Sequence, residues 1–489
     1  MDAEAYRKAA HESIDYIIDY YKTLAERPVV SAVSPGYLRQ DLPTAMPTAP
    51  ESWAAIQSDF DQYIMPGLTH WQSPNFLAFF PANTSYPSML GELYSAAFSA
   101  PAFNWICSPA VTELETIVLD WLAKAMNLPE CFLSWGEGGG VIQGSASEAV
   151  ATTMVAARER FLREVVAAGV EDETEREEVM AAARGRLVAL ASDQTHSSTH
   201  KAALIAGCRF MAIPTTKEEE YALTGASLEK ALKDCDEKGW LPFFVTASLG
   251  TTAVCAVDRL VEVGKVLSTR KSLWGHIDAA YAGAALVCPE ICAEYGGGIE
   301  YFDSFDVNMH KWLLVNFDAS CLYVRRRDDL ISALSLDRSY YRNAASASGL
   351  VIDYRDWQIP LGRRFRALKI WFVMRSYGLD GLRAHIRRSL MRGGEFTQRV
   401  QERSDAFTIL ATPRFGLTVF RMVGGNEEEA DRKTKKLVET VNREGRFFVT
   451  GAKVDGKECV RVVAGSAWGS EKALEDAFAH ILAVAEAVA

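Results

Sequence analysis

Four short segments carry residue types that could do chemistry together. In DVNMHKW, 306–312, Lys311 ends an apolar run between His310 and Trp312. Apolar surroundings disfavour an ammonium, lower its pKa and free a nucleophilic amine, whereas an ordinary surface lysine stays solvated and charged. In HIDAAYAG, 276–283, Asp278 closes a run of Leu, Trp, His and Ile and is followed by small residues past which a flat ligand can slide. Such a carboxylate either caps a helix or partners a protonated ring nitrogen. In SDQTHSSTH, 192–200, His196 and His200 have the spacing of a helical metal pair, but the glutamate of HExxH and a third ligand are missing. A histidine there either stacks on a planar ligand or is polar filler. In GEGGGVIQGSASEA, 136–149, glycines and small hydroxyl residues lead into a helix expected from about Ser147. Its backbone amides, with Ser145 and Ser147, suit an anion, or the segment is a turn with a serine cap. It matches neither GxGxxG nor a Walker loop.

An anion cup, an imidazole, a carboxylate and an amine able to form an imine correspond, part by part, to the phosphate, the planar pyridine, the ring nitrogen and the aldehyde of pyridoxal phosphate. Positioning them requires a rigid frame. Between about 86 and 375, helical patterns alternate with apolar runs at Leu187–Leu190, Phe243–Ser248, Leu273–Ile277, Phe305–Val307 and Cys321–Val324. That alternation predicts a largely parallel sheet covered by helices, an α/β unit whose ligands sit beyond the carboxyl ends of the strands. All four segments follow such runs or lie in neighbouring loops.

The flanks read differently. Residues 1–85 begin with a helix striped by Ile14, Ile17, Ile18, Tyr21 and Leu24, then a proline-rich stretch from Pro28 to Pro50, the pattern of an arm that packs on a second copy or on its own chain. From 376 to 489, strands at Phe407–Leu410, Leu417–Met422, Phe447–Thr450 and Val460–Val463 and a final helix from Ser470 predict a small α+β domain. The acidic run 171–178 reads as a solvated surface segment.

Composition narrows the function. The 489 residues carry a net charge of -11 and are 49% hydrophobic, so the chain is a well-buried globular protein that repels phosphate backbones and anionic lipid. Nucleic acid and membrane are therefore not expected partners. The start lacks the basic flank and apolar stretch of a signal peptide, and Leu93–Thr112, though uncharged, is made a poor spanning helix by Pro101, Pro109, Asn104 and its serines. Nine scattered cysteines without a CxxC pair suit a reducing cytoplasm; Cys288 and Cys292 read as structural thiols, and no metal site is expected.

The motifs PGYLR (35–39), SPAVTELE (108–115), GGGVIQGSASEA (138–149), HIDAAYAG, NMHKWLLVNFD (308–318) and DYRDWQIPLGRRFRALKIWF (353–372) resemble those of group II pyridoxal-phosphate decarboxylases, most closely the aromatic-L-amino-acid decarboxylases. The resemblance implies an aspartate aminotransferase-like type I fold and a homodimer with shared active sites. It implies a carboxy-lyase in which Lys311 is the Schiff-base lysine, Asp278 pairs with the pyridine nitrogen and His196 stacks over the ring. Ser145, Ala146, Ser147 and Asn308 match phosphate positions; Thr252, Ala280 and His310 match positions beside the cofactor. Tyr340, in the segment SLDRSYYRNAASASG (335–349), matches the residue that protonates the substrate carbon after carbon dioxide leaves. Related aldehyde synthases commonly carry phenylalanine there, or asparagine in place of the stacking histidine, so Tyr340 and His196 imply a true decarboxylase rather than an aromatic acetaldehyde synthase. The loop HWQSPNFLAFFPAN (70–83) matches a substrate wall of Trp71, Phe79, Phe80 and Pro81, with Pro101 and Phe103 as a strip from the other subunit. Gly362 matches a position where relatives preferring phenols can carry serine, and glycine leaves room for an indole. The implied substrates are tryptophan, 5-hydroxytryptophan, phenylalanine, tyrosine and dihydroxyphenylalanine. Met309 stands where family members usually have proline.

Overall fold

The computed structural model describes residues 1–336, 344–347 and 351–488. They form two compact units. One comprises 82–391 with 411–418; the other comprises 1–81, 392–410 and 419–489.

The larger unit is built on a seven-stranded sheet: β1 (Gly139–Gln143), β2 (Leu187–Ser192), β3 (Arg209–Ile213), β4 (Leu241–Ser248), β5 (Trp274–Asp278), β6 (Ser304–Asn308) and β7 (Ser320–Val324). The spatial order is β1-β7-β6-β5-β4-β2-β3. Pairs from β3 through β6 are parallel, and β7 runs antiparallel to both β6 and β1. The sheet is thus largely parallel, as the alternating pattern predicts. Strands β1, β2, β6 and β7 are buried at every position, the burial of a sheet covered on both faces, which is why β2 and β7 read as largely apolar runs. Val141, Met154, Leu187, Phe243, Phe244, Trp274 and Leu322 belong to one hydrophobic core between sheet and helices.

Two strands were not legible in the sequence. β1 lies inside the glycine-rich segment, where Gly139 and Gly140 hide a strand because they lower its propensity. β3 is an edge strand with only its last residue buried, so it lacks the apolar run. The acidic run is exposed, as expected, but most of it starts a helix, Glu173–Arg184, capped by Asp172.

The second unit has the first helix, Ala3–Thr23, and a sheet of β8 (Phe407–Ile409), β9 (Leu417–Met422), β10 (Thr450–Val454) and β11 (Lys457–Val463) in the order β10-β11-β9-β8. Helices Glu427–Glu444 and Glu471–Val488 share with it a core that includes Phe396, Phe420, Leu437, Val460 and Ile481. The expected strand at Phe447–Thr450 is displaced: Phe448 makes an isolated bridge to Phe76, and pairing with β11 begins at Thr450.

Candidate active site

The carboxyl ends of the central strands carry an unusual load of buried polar groups. Strand register sets Ser248 beside Asp278, Asp278 beside Asp306, Asn308 beside Ser320 and Ser320 beside Gln143, so the ends of β4, β5, β6, β7 and β1 form one edge. Buried polar groups are normally hydrogen-bonded. Here Ser248 Oγ, Asn308 Oδ1, Ser320 Oγ and the side-chain amide of Gln143 are buried without such partners.

Lys311 lies on the short helix Met309–Trp312 that follows β6. Its carbonyl accepts from Asn83 Nδ2 at 2.9 Å, and the His310 carbonyl accepts from the Asn83 amide at 2.8 Å. Ser85 Oγ donates to the Leu314 carbonyl at 2.7 Å, so residues 83–85 hold this turn by its backbone. Met309, the departure from the proline expected by resemblance, uses the N–H that proline lacks: it donates to the Ala319 carbonyl at 3.0 Å. Burial pushes the Lys311 ammonium below the usual lysine range, against the upward pull of Asp278, Asp306 and Cys255. Cys255 belongs to the turn after β4 that also carries Thr252, which is exposed.

Asp278 ends β5 and accepts the Ala280 amide at 3.1 Å, so the carboxylate is held by its own turn. The Asn308 amide donates to the Ala280 carbonyl at 3.0 Å, tying that turn to the end of β6. His196 precedes the helix Ser197–Ala206 as its cap: Nδ1 accepts the Ser198 amide at 3.1 Å and lies 2.8 Å from Ser198 Oγ. With Nδ1 accepting, a neutral ring carries its proton on Nε2. Loss of water holds this imidazole below the usual histidine range; Asp278 pulls it up, and Lys311 and Lys201 push it down. Lys311, Asp278 and His196, far apart in sequence, therefore lie within electrostatic reach of one another. His200, four residues on, stacks instead on Phe210, centroids 4.9 Å apart. Among the described residues no group of three or more His, Cys, Asp or Glu could hold a metal ion.

His310 is buried beside Lys311 in sequence. Its Nδ1 accepts the Ala319 amide at 2.8 Å and its ring packs on Phe317, centroids 4.3 Å apart. Burial, helped by Lys311, pushes it down to about 3, so it is neutral with the proton on Nε2.

Ser145 caps the helix Ala146–Phe161, one residue earlier than the expected start, and accepts the Glu148 amide at 3.2 Å. Glu148 folds back so that Oε2 accepts the Gly144 amide at 2.8 Å, which takes one donor out of the loop. Ser145 and Ala146 are half-buried and Ser147 is exposed.

These residues fit pyridoxal phosphate. An amine and a carboxylate stand at one strand edge for the aldehyde and the ring nitrogen, a helix start with two serines serves an anion, and unpartnered Ser248, Asn308 and Gln143 have hydrogen-bonding capacity left for polar substituents.

The expected substrate residues fall in two groups. In one unit, Trp71 stacks on Phe79 with centroids 5.6 Å apart, and Arg461 lies over Phe80 at 5.4 Å. Phe79 holds a left-handed φ of 55°, fixed by its amide donating to Thr450 Oγ1 at 2.6 Å, a strained and exposed placement of an aromatic ring. Pro81 is buried. In the other unit, Pro101 and Gly362 line one cavity of about 300 Å³ with Ser95, Ser99 and Phe365. The Phe103 amide bonds the Pro101 carbonyl at 2.6 Å beside it. Tyr340 lies outside the described residues. Sequence reasoning missed Asn83, His276 and Asp306; only the polar letters inside otherwise apolar strands could have signalled the last two.

Comparison with known proteins identifies what the chain is similar to. The family model of the pyridoxal-dependent decarboxylase conserved domain matches residues 35–423. Phenylacetaldehyde synthase of Arabidopsis thaliana is 44% identical over 98% of this chain and 95% of its own. Aromatic-L-amino-acid decarboxylase of Rattus norvegicus is 43% identical over 100% and 99%. The solved structure of Oryza sativa TDC with PLP and tryptamine superposes with a TM-score of 0.94 at 37% identity, covering 100% of this chain and 99% of that one.

Proposed function

The chain belongs to the pyridoxal-dependent decarboxylases, and on that premise we propose that it decarboxylates aromatic L-amino acids, namely tryptophan, 5-hydroxytryptophan, phenylalanine, tyrosine and dihydroxyphenylalanine, to the corresponding amines. Its fold is the α/β type I fold of these enzymes, its cofactor pyridoxal 5′-phosphate and its reaction class that of a carboxy-lyase. The electrostatic convergence of Lys311, Asp278 and His196 at the strand edge supports the cofactor site, and the likeness to an aromatic-L-amino-acid decarboxylase supports the aromatic substrate class.

When bound, pyridoxal phosphate supplies an aldehyde that exchanges imines with amines and a protonated ring that draws electrons from the bond to the carboxylate. Lys311 Nζ would hold it covalently, and burial disfavours the ammonium form of that amine. Asp278 holds the proton on the ring nitrogen. His196, fixed by Ser198, would pack against the ring and present its Nε2 to the site. Ser145, Ala146, Ser147 and Asn308 bind the phosphate, while Thr252, Ala280 and His310 line the site. Tyr340 moves its phenolic proton to the substrate α-carbon. Trp71, Phe79, Phe80, Pro81, Pro101, Phe103 and Gly362 bind the aromatic side chain through burial and stacking.

A homodimer with shared sites accounts for surfaces that a lone chain would leave wet. The helix Tyr86–Phe98 exposes Tyr86, Leu90, Leu93, Tyr94 and Phe98, and the first helix exposes Ile14 and Ile17. No helix among the described residues is long and apolar enough to cross a membrane. The nine free cysteines suit a reducing compartment, and the cytoplasm is the proposed place of action.

The similarity to phenylacetaldehyde synthase favours one second reading, decarboxylation coupled to oxidation of the amine by oxygen. Tyr340 and His196 argue for the first. Purified holoenzyme should give one amine per carbon dioxide from tryptophan, with little peroxide; one peroxide and one aldehyde per carbon dioxide would establish the second. Borohydride reduction should add the cofactor mass to the peptide carrying Lys311, and an unmodified Lys311 would refute the site.

A further inference from the structure

Beneath the strand edge lies a buried chain of polar side chains that the reaction as described does not use. Trp274 Nε1 donates to Ser304 Oγ at 2.8 Å, and Ser304 Oγ lies 2.8 Å from His276 Nδ1. Since Ser304 accepts from the indole, its own proton is free for Nδ1, which leaves the imidazole proton on Nε2. That nitrogen is 3.1 Å from Asp306 Oδ1, and both side chains are essentially inaccessible. Neither Asp306 oxygen has a hydrogen bond of good geometry.

A buried carboxylate so thinly solvated exerts its charge on whatever cation is near. Asp306 sits beside Asp278 in the β5–β6 register, and its strand leads directly into the helix of Lys311. We propose that Asp306 is a second carboxylate of the site, a positioning residue that, paired with His276, adds its negative charge to that of Asp278 and so favours the protonated form of the Lys311 nitrogen. The proposal rests on the reading of Lys311 as the cofactor lysine.

The surroundings leave few other groups to take this role. Asp278 and His276 face Asp306 from β5, and Lys311 from the following helix. Cys321 of β7 also feels it and is kept a thiol by burial. The helix Ala146–Phe161 packs across β5 and β6, but its Arg160 is committed to Asp303 at 2.9 Å and Asp329 at 3.2 Å while lying over Trp274. The turn Ala282–Val287, packed on β6, has no titratable residue. Burial, with Asp278, pushes Asp306 up to about 6, so its charge is present at neutral pH and lost in mild acid.

The test is a pH titration of the visible cofactor band of the holoenzyme, read for its midpoint. Asp306→Asn keeps the size and removes the charge, and should lower the midpoint by roughly one pH unit while the cofactor stays bound. His276→Gln should move it the same way, because an unpaired Asp306 ionises less readily. A merely structural role would alter stability or cofactor retention and leave the midpoint in place. An unchanged midpoint in Asp306→Asn, or in His276→Gln should the first variant not fold, overturns the proposal. A wild-type protein with no cofactor band would overturn the reading of Lys311 on which it rests.

Discussion

The ring of Tyr281 lies almost flat on that of Trp312, with centroids 4.5 Å apart and planes 14° from parallel. Tyr281 follows Asp278 by three residues and Trp312 follows Lys311 by one, so this stack clamps the turn bearing the carboxylate to the helix bearing the amine. Both rings are buried, and the Tyr281 hydroxyl donates to the Phe415 carbonyl at 2.8 Å. Trp312→Leu should destabilise the protein by about 3 kcal/mol through the cavity it leaves. Tyr281→Phe keeps the stack, so it should cost only about 1 kcal/mol and retain turnover. Chemical denaturation and kcat measured on the two variants check the contrast; equal losses of kcat would mean that the hydroxyl, not the stack, holds the site.

Removing the phenolic proton while keeping the ring, as in Tyr340→Phe, should divert product from amine to aldehyde, ammonia and peroxide. Carbon dioxide release should continue, because the proposed role begins after the carboxylate has left. The ratio of peroxide to carbon dioxide, followed with an oxygen electrode and a product assay, should rise toward about one.

Gly362→Ser probes the cavity shared with Pro101. A Cβ placed on Gly362 meets nothing within 4 Å and its φ is unstrained, so the variant should fold as the parent does. The added hydroxymethyl narrows the space for an indole and gives a phenol a partner. The tryptophan-to-tyrosine ratio of kcat/KM should fall about tenfold, and an unchanged ratio would remove Gly362 from the substrate pocket.

His310 should make stability sensitive to acid. Its folded-state value of about 3 lies below the ordinary histidine value, so the unfolded chain takes up the proton first as pH falls. The contribution is fully present above about pH 6.5 and drains away below it, amounting to roughly 2 kcal/mol at pH 5. Denaturant unfolding of the wild type and His310→Gln at pH 5 and 7.5 should show the wild type losing more on acidification, by about that amount.

Much of the site was legible because its parts are local. Asp278, His196 and Lys311 each follow a buried strand, and an apolar run ending in a polar residue is visible in one dimension. The expected start of the helix near Ser147 was off by one residue because Ser145, not its neighbour, supplies the cap. Strands β1 and β3 escaped detection for opposite reasons, glycine content in one and exposure in the other. His276 and Asp306 were passed over as interior letters of strands; their pairing depends on strand register, which no local pattern encodes.

Residue chemistry and its order along the chain already contained the amine, the carboxylate, the imidazole and the alternating elements that carry them, since reactive groups and short-range periodicity are properties of the covalent chain. Packing decided what those groups are worth. The shift of Lys311, the tautomers of His196 and His310, the alignment of Asp278 with Asp306 and the meeting of Pro101 with Gly362 all arise from desolvation and from contacts between segments distant in sequence, and both come into being when the strands take their places in the sheet.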